Sequence, residues 1–329
     1  MKKGMVLLLV VLLMLTPVSL AQEKPQTLTL NEVTHSVFYA PQYVAIEMGF
    51  FAEEGIQIDL VNGGGSDKSM TAVLAGEADI GLMGPETAVY VYNQGKSDHA
   101  MIIGQLTNTD GSFLVGREKD EQFDWQKVKG KTIIGGRPGG MPLMTLLYVL
   151  KQKGIMPGAD VNVRTDIQFN LMAGAFEGSD AAFVTLFEPT ASLCQQAGKG
   201  FIVASVGAEG GEIPFTGYMV KKSLLTENAD LYSRFIKAVA KGQQWVATHT
   251  PEEIAKAIAP QFPDADIEIL TSVAKNYQTI HAWCETPVMK AEAFTRLQDI
   301  IEGAGELSAR VPFEAIVDNS IAQAAIAGK

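Results

Sequence analysis

Two stretches of the chain follow one pattern: GEADIGLMGPETA at residues 76–88 and GSDAAFVTLFEPTA at residues 178–191. Each begins with a turn of small residues, continues with an aspartate and a short apolar run, and ends with a proline that can begin a helix. A short apolar run bounded by turns is typical of a buried strand in an α/β sheet. The repetition therefore predicts two similar α/β lobes.

Strand–loop–helix units surround both stretches. Ile56–Leu60 alternates like a strand, and the pattern at Ser66–Gly76 predicts the helix after it. Lys131–Ile134 predicts a strand of the second lobe, and Pro142–Gly154 predicts its helix. This alternation favours sheets with largely parallel strands. Beyond Ser223 the pattern is nearly all helical.

The order of these units predicts a discontinuous first lobe. We expect lobe I to comprise residues 25–116 and 218–329, with lobe II inserted as residues 117–217. The chain would cross between the lobes at Phe113–Arg117 and at Thr216–Val220. Loops of such a fold often carry the binding site.

The first 21 residues predict a cleaved secretory signal peptide. Lys2 and Lys3 precede an apolar run, Met5–Leu15, and small residues stand at positions −3 and −1 of a cut after Ala21. The run is shorter than the about 20 apolar residues that a membrane-spanning helix needs. An uncleaved membrane anchor remains the alternative. We expect an exported, soluble periplasmic protein, and Cys194 is too far along the chain to carry an N-terminal lipid.

Composition excludes some partners. The chain has 329 residues, 47% of them hydrophobic, and a net charge of −11 at pH 7. This length predicts about two domains. Nucleic acids and anionic membranes attract basic surfaces, so we expect neither as a partner. Export would permit a disulfide between Cys194 and Cys284, but the sequence does not show that they meet.

Several motifs resemble one group of ABC-transporter solute-binding proteins. They are YAPQYVA at 39–45 with GFFAEEGI at 49–56, LAGEADIG at 74–81, and KGKTI at 129–133. Members of that group bind aliphatic sulfonates, taurine, nitrate or thiamine-precursor pyrimidines. The resemblance implies a type II periplasmic-binding-protein fold that closes on one small-molecule ligand and docks on ABC-transporter permease subunits. We expect a monomer without cofactor or metal.

The candidate ligand-binding residues lie in loops that follow strands. Ligands of open α/β sheets bind beyond the carboxyl ends of the strands, near free N–H groups of the next helices. Ordinary turns that need glycine for their geometry are the alternative explanation. The candidates are Ser36, Phe38, Tyr39, Gly65, Ser66, Gly84, Glu86, Thr87, Arg137, Gly139, Gly140, Met141, Leu186, Glu188, Phe215 and Thr216.

Two carboxylates and several aromatic residues indicate the ligand class. Glu86 and Glu188 follow buried strands, where each could face a ligand or simply stabilise a helix N-terminus. Acids beside Tyr39 and Phe215 suit a flat nitrogen-containing ring, such as a thiamine-precursor pyrimidine or a flavin. A sulfonate, taurine or nitrate, held by Arg137 and backbone N–H groups, is the alternative.

An enzyme is the rival class of function. The four histidines, His35, His99, His249 and His281, do not follow nucleophile-elbow or zinc-protease spacings. Pyrimidine-forming enzymes related to the resembled group carry a cysteine cluster that this sequence lacks. We therefore expect a binding protein without catalytic residues.

Overall fold

The computed structural model describes residues 24–327. The predicted signal peptide, with its cut after Ala21, lies outside the described residues. Within the described range, no helix combines the length and the apolar character needed to cross a bilayer.

Ten strands form two five-stranded sheets. In chain order they are β1 (Gln26–Glu32), β2 (Ile56–Asn62), β3 (Ile80–Met83), β4 (Ala100–Thr107), β5 (Ser112–Gly116), β6 (Thr132–Ile134), β7 (Asn162–Arg164), β8 (Phe183–Phe187), β9 (Phe201–Ser205) and β10 (Thr216–Lys221). The first sheet has the order β2-β1-β3-β10-β4, and the second has the order β7-β6-β8-β5-β9. The predicted two-lobed α/β fold is confirmed.

Helices cover the sheets and form the C-terminal region. They are α1 (Ala40–Glu47), α2 (Phe50–Glu53), α3 (Ser66–Ala75), α4 (Glu86–Asn93), α5 (Met141–Gln152), α6 (Met172–Glu177), α7 (Thr190–Gln196), α8 (Val206–Gly210), α9 (Ala229–Thr248), α10 (Pro251–Ile258), α11 (Ile267–Thr279), α12 (Ala291–Gly303), α13 (Phe313–Ile316) and α14 (Asn319–Ala327). Short 3-10 turns lie at Val37–Tyr39, Trp125–Val128, Phe169–Leu171, Lys222–Leu224 and Ala259–Gln261.

Each sheet combines parallel and antiparallel strands. β1 runs parallel to β2 and β3, and β6 runs parallel to β7 and β8. β10 is antiparallel to β3 and β4, while β5 is antiparallel to β8 and β9. β5 and β10 are the strands that follow a passage from one sheet to the other, which explains why they interrupt the parallel βα pattern.

The crossings between the lobes precede the positions that the sequence predicts. β4 ends at Thr107 in the first sheet and β5 begins at Ser112 in the second, so the first crossing is residues 108–111. The second, at residues 211–215, lies between α8 and β10. Phe113–Arg117 is therefore not a crossing, and Thr216–Val220 belongs to β10. All of β5 is buried in the second sheet. Its apolar sequence is therefore explained by packing within lobe II and does not mark the passage between the lobes.

The long helix α9 joins the C-terminal region to lobe I. It packs closely against α1, where Gly242 leaves no room for a side chain: a Cβ there would lie 2.2 Å from the carbonyl oxygen of Pro41. Further along, α11 contacts α7 and α12 contacts α5, both in lobe II. The C-terminal helices thus contact both lobes. Cys194 and Cys284 are buried free thiols.

Candidate functional site: the cleft between the lobes

A cavity of about 830 Å³ lies between the two lobes. Lobe I lines it with the loops after β1, β2 and β3, and lobe II lines it with the loop after β6, with β8, with residues 168–170 and with Met172. These positions are largely the carboxyl ends of strands, where α/β sheets bind ligands. In the lobe II loop, Gly136 and Gly139 have φ angles of 98° and 78°, a backbone conformation that favours glycine.

The structure brings most of the candidate residues to this cavity. Those that line it are Tyr39, Gly65, Ser66, Gly84, Glu86, Thr87, Arg137, Gly139, Gly140, Met141, Phe215 and Thr216. Four others, Ser36, Phe38, Leu186 and Glu188, do not line it.

Ser36 and Phe38 lie behind the cavity wall. The Ser36 hydroxyl donates to the carbonyl oxygen of Glu188 at 2.7 Å, and so joins lobe I to lobe II. The Phe38 ring packs edge-on against Phe187 and Phe215, at 5.5 and 5.7 Å between centroids. Since Phe187 and Phe215 do line the cavity, Phe38 supports the wall from behind.

Leu186 points away from the cavity because successive strand residues face opposite sides of a sheet. In β8 its neighbours Thr185 and Phe187 line the cavity, while Leu186 is buried in the core. The sequence identified the correct strand end but selected the wrong face.

Glu188 is fully engaged in hydrogen bonds with the protein. Its carboxylate accepts from the backbone N–H of Ser192, from the Ser192 hydroxyl and from the side-chain amide of Asn276, each at 2.8 Å. Burial raises the pKa of Glu188, and these hydrogen bonds oppose that rise. Glu188 therefore connects parts of the protein, and its two contacts with Ser192 at the start of α7 agree with the alternative that it stabilises a helix N-terminus.

Glu86 differs from Glu188 because part of its carboxyl lacks a protein partner. Only 2% of the residue is exposed, and within residues 24–327 its Oε2 has no hydrogen-bond partner. Burial raises the pKa of Glu86 to about 8, against the lowering effect of the backbone N–H groups of Glu86 and Met141. The carboxyl is therefore largely protonated at pH 7, and a ligand in the cavity could supply the missing partner.

Aromatic side chains form much of the cavity wall. They are Tyr39, Tyr90, Phe169, Phe187 and Phe215. Phe169 packs edge-on against Phe187 with ring centroids 5.4 Å apart. Burial is the main cause that raises the pKa of Tyr39, so its hydroxyl stays neutral. This surface can stack on or enclose a flat apolar ligand.

Sequence reasoning missed Tyr90 and the segment 168–170. Tyr90 lies one helical turn after Glu86 on α4, and this spacing could have indicated it. Gln168, Phe169 and Asn170 follow the short strand β7, so a closer reading of the loop after that strand could have found them. Tyr218 of β10 does not line the cavity: it is fully buried, and its hydroxyl donates to the side chain of Gln42.

Polar contacts cross the mouth of the cleft. The Tyr90 hydroxyl of lobe I donates to the carbonyl oxygen of Gly139 in lobe II at 3.1 Å. Arg137 lies 3.7 Å from Asp67, but their side chains are 46% and 68% exposed, so water weakens their attraction. The lobes are therefore in contact on both sides of the cavity.

Within residues 24–327, no cluster of three or more His, Cys, Asp or Glu residues is suited to hold a metal.

Comparison with known proteins places the chain in a family. Residues 37–254 match the family described as NMT1/THI5 like. The protein YtlA of Bacillus subtilis (strain 168), described as a candidate binding protein, is 43% identical over 306 residues, which cover 92% of each chain.

Solved structures share the fold at low sequence identity. The ligand-binding component of an ABC-type import system from Staphylococcus aureus, with zinc bound, has a TM-score of 0.71 and 14% identity, covering 91% of this chain and 98% of that one. The alkanesulfonate-binding protein SsuA from Xanthomonas axonopodis pv. citri, bound to MOPS, has a TM-score of 0.71 and 15% identity, covering 90% and 99%. The desulfurization enzyme DszB has a TM-score of 0.65 and 14% identity, covering 92% and 99%.

Proposed function

The chain belongs to the NMT1/THI5-like family, and we propose that it is the solute-binding subunit of an ABC importer. It captures a small organic molecule between its lobes and delivers it to permease subunits in the membrane. A cavity of about 830 Å³ between the lobes supports this role, since ligand pockets typically measure about 300–1,000 Å³. The similarity to YtlA and the fold shared with an ABC import component also favour it.

Such a subunit works outside the cytoplasm. The pattern of residues 1–21 supports export, with a mature chain that begins at Gln22. N-terminal sequencing of the exported protein tests this location. A product that still begins at Met1 and remains in the membrane fraction would contradict it.

We propose that the ligand contains a flat, nitrogen-bearing ring of the pyrimidine or flavin type. The observation that carries this proposal is the free Oε2 of buried Glu86 within a cavity lined by aromatic rings. An unsatisfied buried polar atom costs free energy unless a ligand pairs with it. Ring nitrogens and amino groups can do so while the ring packs against Tyr39, Phe187 or Phe215.

Sulfonate, taurine or nitrate is the second candidate. Arg137 and the N-termini of α3 and α5 lie at the cavity, and SsuA is named for binding alkanesulfonates. A simple anion would, however, be placed in the same small space as Glu86. Taurine differs from the simple anions, because its ammonium group could pair with the Glu86 carboxyl as a ring nitrogen would.

The test is a thermal-shift panel with calorimetry as confirmation. The panel spans thiamine pyrimidines, riboflavin, taurine, alkanesulfonates and nitrate. A true ligand at about 100 times its Kd should add ~2.7 kcal/mol to the free energy of unfolding. If only nitrate or simple sulfonates raise the melting temperature, the ring proposal is wrong.

A saturating ligand should also close the lobes. Small-angle scattering should then show a smaller radius of gyration than for the free protein, because the lobes rotate about residues 108–111 and 211–215.

An enzyme is the alternative class of function, since DszB shares the fold and one fold hosts many activities. Chemical conversion of the bound ligand, followed by mass spectrometry, would favour that alternative.

A further inference from the structure

The Glu86 carboxyl lies in the cavity wall without a cation beside it. Only 2% of the residue is exposed, and among residues 24–327 no basic side chain forms a salt bridge with it. Two basic residues also line the cavity, but Arg137 lies 3.7 Å from Asp67 and Lys68 is exposed to water. A buried carboxylate without a counter-charge is costly, so such a group takes up a proton. The surroundings of Glu86 therefore favour the neutral carboxylic acid.

The hydroxyl groups nearest to Glu86 along α4 donate elsewhere. The Thr87 hydroxyl donates to the carbonyl oxygen of Gly84 at 2.7 Å, and the Tyr90 hydroxyl donates to that of Gly139 at 3.1 Å. Each hydroxyl has one hydrogen to donate. Within residues 24–327, Oε2 of Glu86 has no hydrogen-bond partner. The partner that completes this carboxyl has to come from the cavity.

Gly84 gives the carboxyl its place in the wall. A Cβ at Gly84 would lie 2.0 Å from Oε2 and 2.4 Å from Oε1 of Glu86, closer than two such atoms can approach. Both residues line the cavity. The carboxyl is thus folded over a position without a side chain, at the end of a strand where α/β sheets bind ligands.

We propose that Glu86 binds the ligand as a neutral carboxylic acid, and that its O–H donates a hydrogen bond to an acceptor on an uncharged ring, such as a ring nitrogen or a carbonyl oxygen. This inference rests on the proposed solute-binding function, because it assigns the chemical group that the ligand presents in the same cavity. A ligand that presents an ammonium group to Glu86 is disfavoured, since a protonated carboxyl has lost the negative charge that would offset the burial of a cation.

The other titratable groups near Glu86 do not reverse this preference. Tyr39 lies in the turn before α1 and Tyr90 lies one turn further along α4, and burial raises the pKa of both phenols, so they stay neutral. Glu32 and Glu306 interact with these phenols and add no positive charge. The N-terminus of α4 favours an anion, but this effect is weaker than the penalty for burying an unpaired charge. The rise of the Glu86 pKa to about 8 agrees with this balance.

The test follows the pH dependence of ring binding. Riboflavin and cytosine are titrated by calorimetry into the parent protein at pH 7 and pH 9, because both rings stay largely uncharged between these values. If only the protonated form of a group with a pKa of about 8 binds, the affinity should fall by about 10-fold across this interval. An affinity that rises with pH would overturn the inference, since the carboxylate would then be the binding form.

Two variants separate the hydrogen-bond donor from the shape of the side chain. The amide of Glu86→Gln can still donate, so this variant should bind the rings within about 3-fold of the parent at pH 7 and show no pH dependence. Glu86→Leu is similar in size but has no donor, and it should bind at least about 10-fold more weakly. Equal losses in the two variants would contradict a donor role.

Glu306→Gln is the matched control for charge. It replaces an exposed acid near Tyr90 that does not line the cavity. Its affinity for the rings should fall with pH as in the parent. Loss of the pH dependence in this variant would show that Glu86 is not its source.

Infrared difference spectra separate this inference from the proposed function. At pH 7 the spectrum of the parent minus that of Glu86→Gln should contain the C=O band of a protonated carboxyl, which should shrink at pH 9. If no ring binds but another compound of the panel shifts this band, the proposed ring is wrong and the donor role stands. If a ring binds equally well at both pH values, the donor role is wrong and the proposed function stands. Absence of the band at pH 7, or a band that no compound shifts, overturns the inference directly.

Discussion

The side-chain amide of Asn276 donates a hydrogen bond to Oε1 of Glu188 at 2.8 Å, between residues 88 positions apart in the chain. The next residue, Tyr277, accepts the backbone N–H of Glu188 at 3.0 Å and donates to the carbonyl oxygen of Gly111 at 3.3 Å. Ser36 donates to the Glu188 carbonyl. We call Ser36, Asn276, Tyr277 and Glu188 the interlobe latch, since they join lobe II to α11 and to the first crossing.

We expect Asn276→Ala to weaken the interlobe latch and favour an open arrangement. Glu188 is buried and would lose a donor, which costs on the order of 1–3 kcal/mol. The melting temperature should fall, and small-angle scattering should show a larger radius of gyration. Asn93→Ala is the matched control, because Asn93 donates to Ala309 away from the latch. Equal radii of gyration for both variants would argue against a latch.

Phe169→Ala should weaken the binding of a ring-containing ligand by about 3- to 10-fold, the range that aromatic contacts contribute. Phe169 lines the cavity and contacts Phe187. Leu171→Ala is its control, since Leu171 lies in the same turn, is 57% exposed and does not line the cavity. Calorimetry with the ligand found in the panel measures both. Similar losses in the two variants would show that the segment acts through its fold rather than through the Phe169 ring.

Glu86→Gln should become more stable relative to the parent protein as the pH rises. Burial raises the pKa of Glu86 from 4.5 to about 8, so between these values the folded parent holds a proton that the unfolded chain has lost. The parent therefore loses stability across this window, by on the order of 5 kcal/mol, while the glutamine variant does not. Melting temperatures at pH 5 and pH 9 give the comparison. A difference independent of pH would refute the raised pKa.

His35 should stabilise the fold most strongly at acidic pH. Its Nδ1 lies 2.7 Å from Oε1 of buried Glu32, and its Nε2 lies 2.8 Å from the carbonyl oxygen of Gln261. Because both partners are acceptors, the geometry favours the doubly protonated ring, and the hydrogen bond to Glu32 is the main cause that raises the His35 pKa above 6.5. The stabilisation is full below pH 6.5 and is lost as pH rises through the folded value.

His35→Gln should accordingly cost more stability at pH 5.5 than at pH 8.5, measured by urea unfolding at both values. Glu32→Gln is the companion variant, because it removes the acceptor that favours protonation. It should reduce the pH dependence that His35 causes. A loss of stability that is equal at both pH values would show that His35 acts only by packing against Phe262 and Tyr43.

Much of the site was predictable from strand ends. Glu86, Thr87 and Gly84 follow a buried strand at the start of a helix, and local sequence is enough to locate that boundary. The face of β8 was not predictable in the same way, because Leu186 and Phe187 are both apolar and only the packing of the second sheet decides which one meets the cavity.

The sequence by itself determined the two α/β lobes, the helical C-terminal region and the loops that meet at the cleft, because periodicity, glycines and helix-starting prolines act over a few residues. Only the tertiary structure decided that the crossings lie at residues 108–111 and 211–215, and that Glu188 pairs with Asn276 while Glu86 keeps a free oxygen. Two glutamates with similar local sequences acquire different roles because burial and hydrogen-bond partners come from residues distant in the chain.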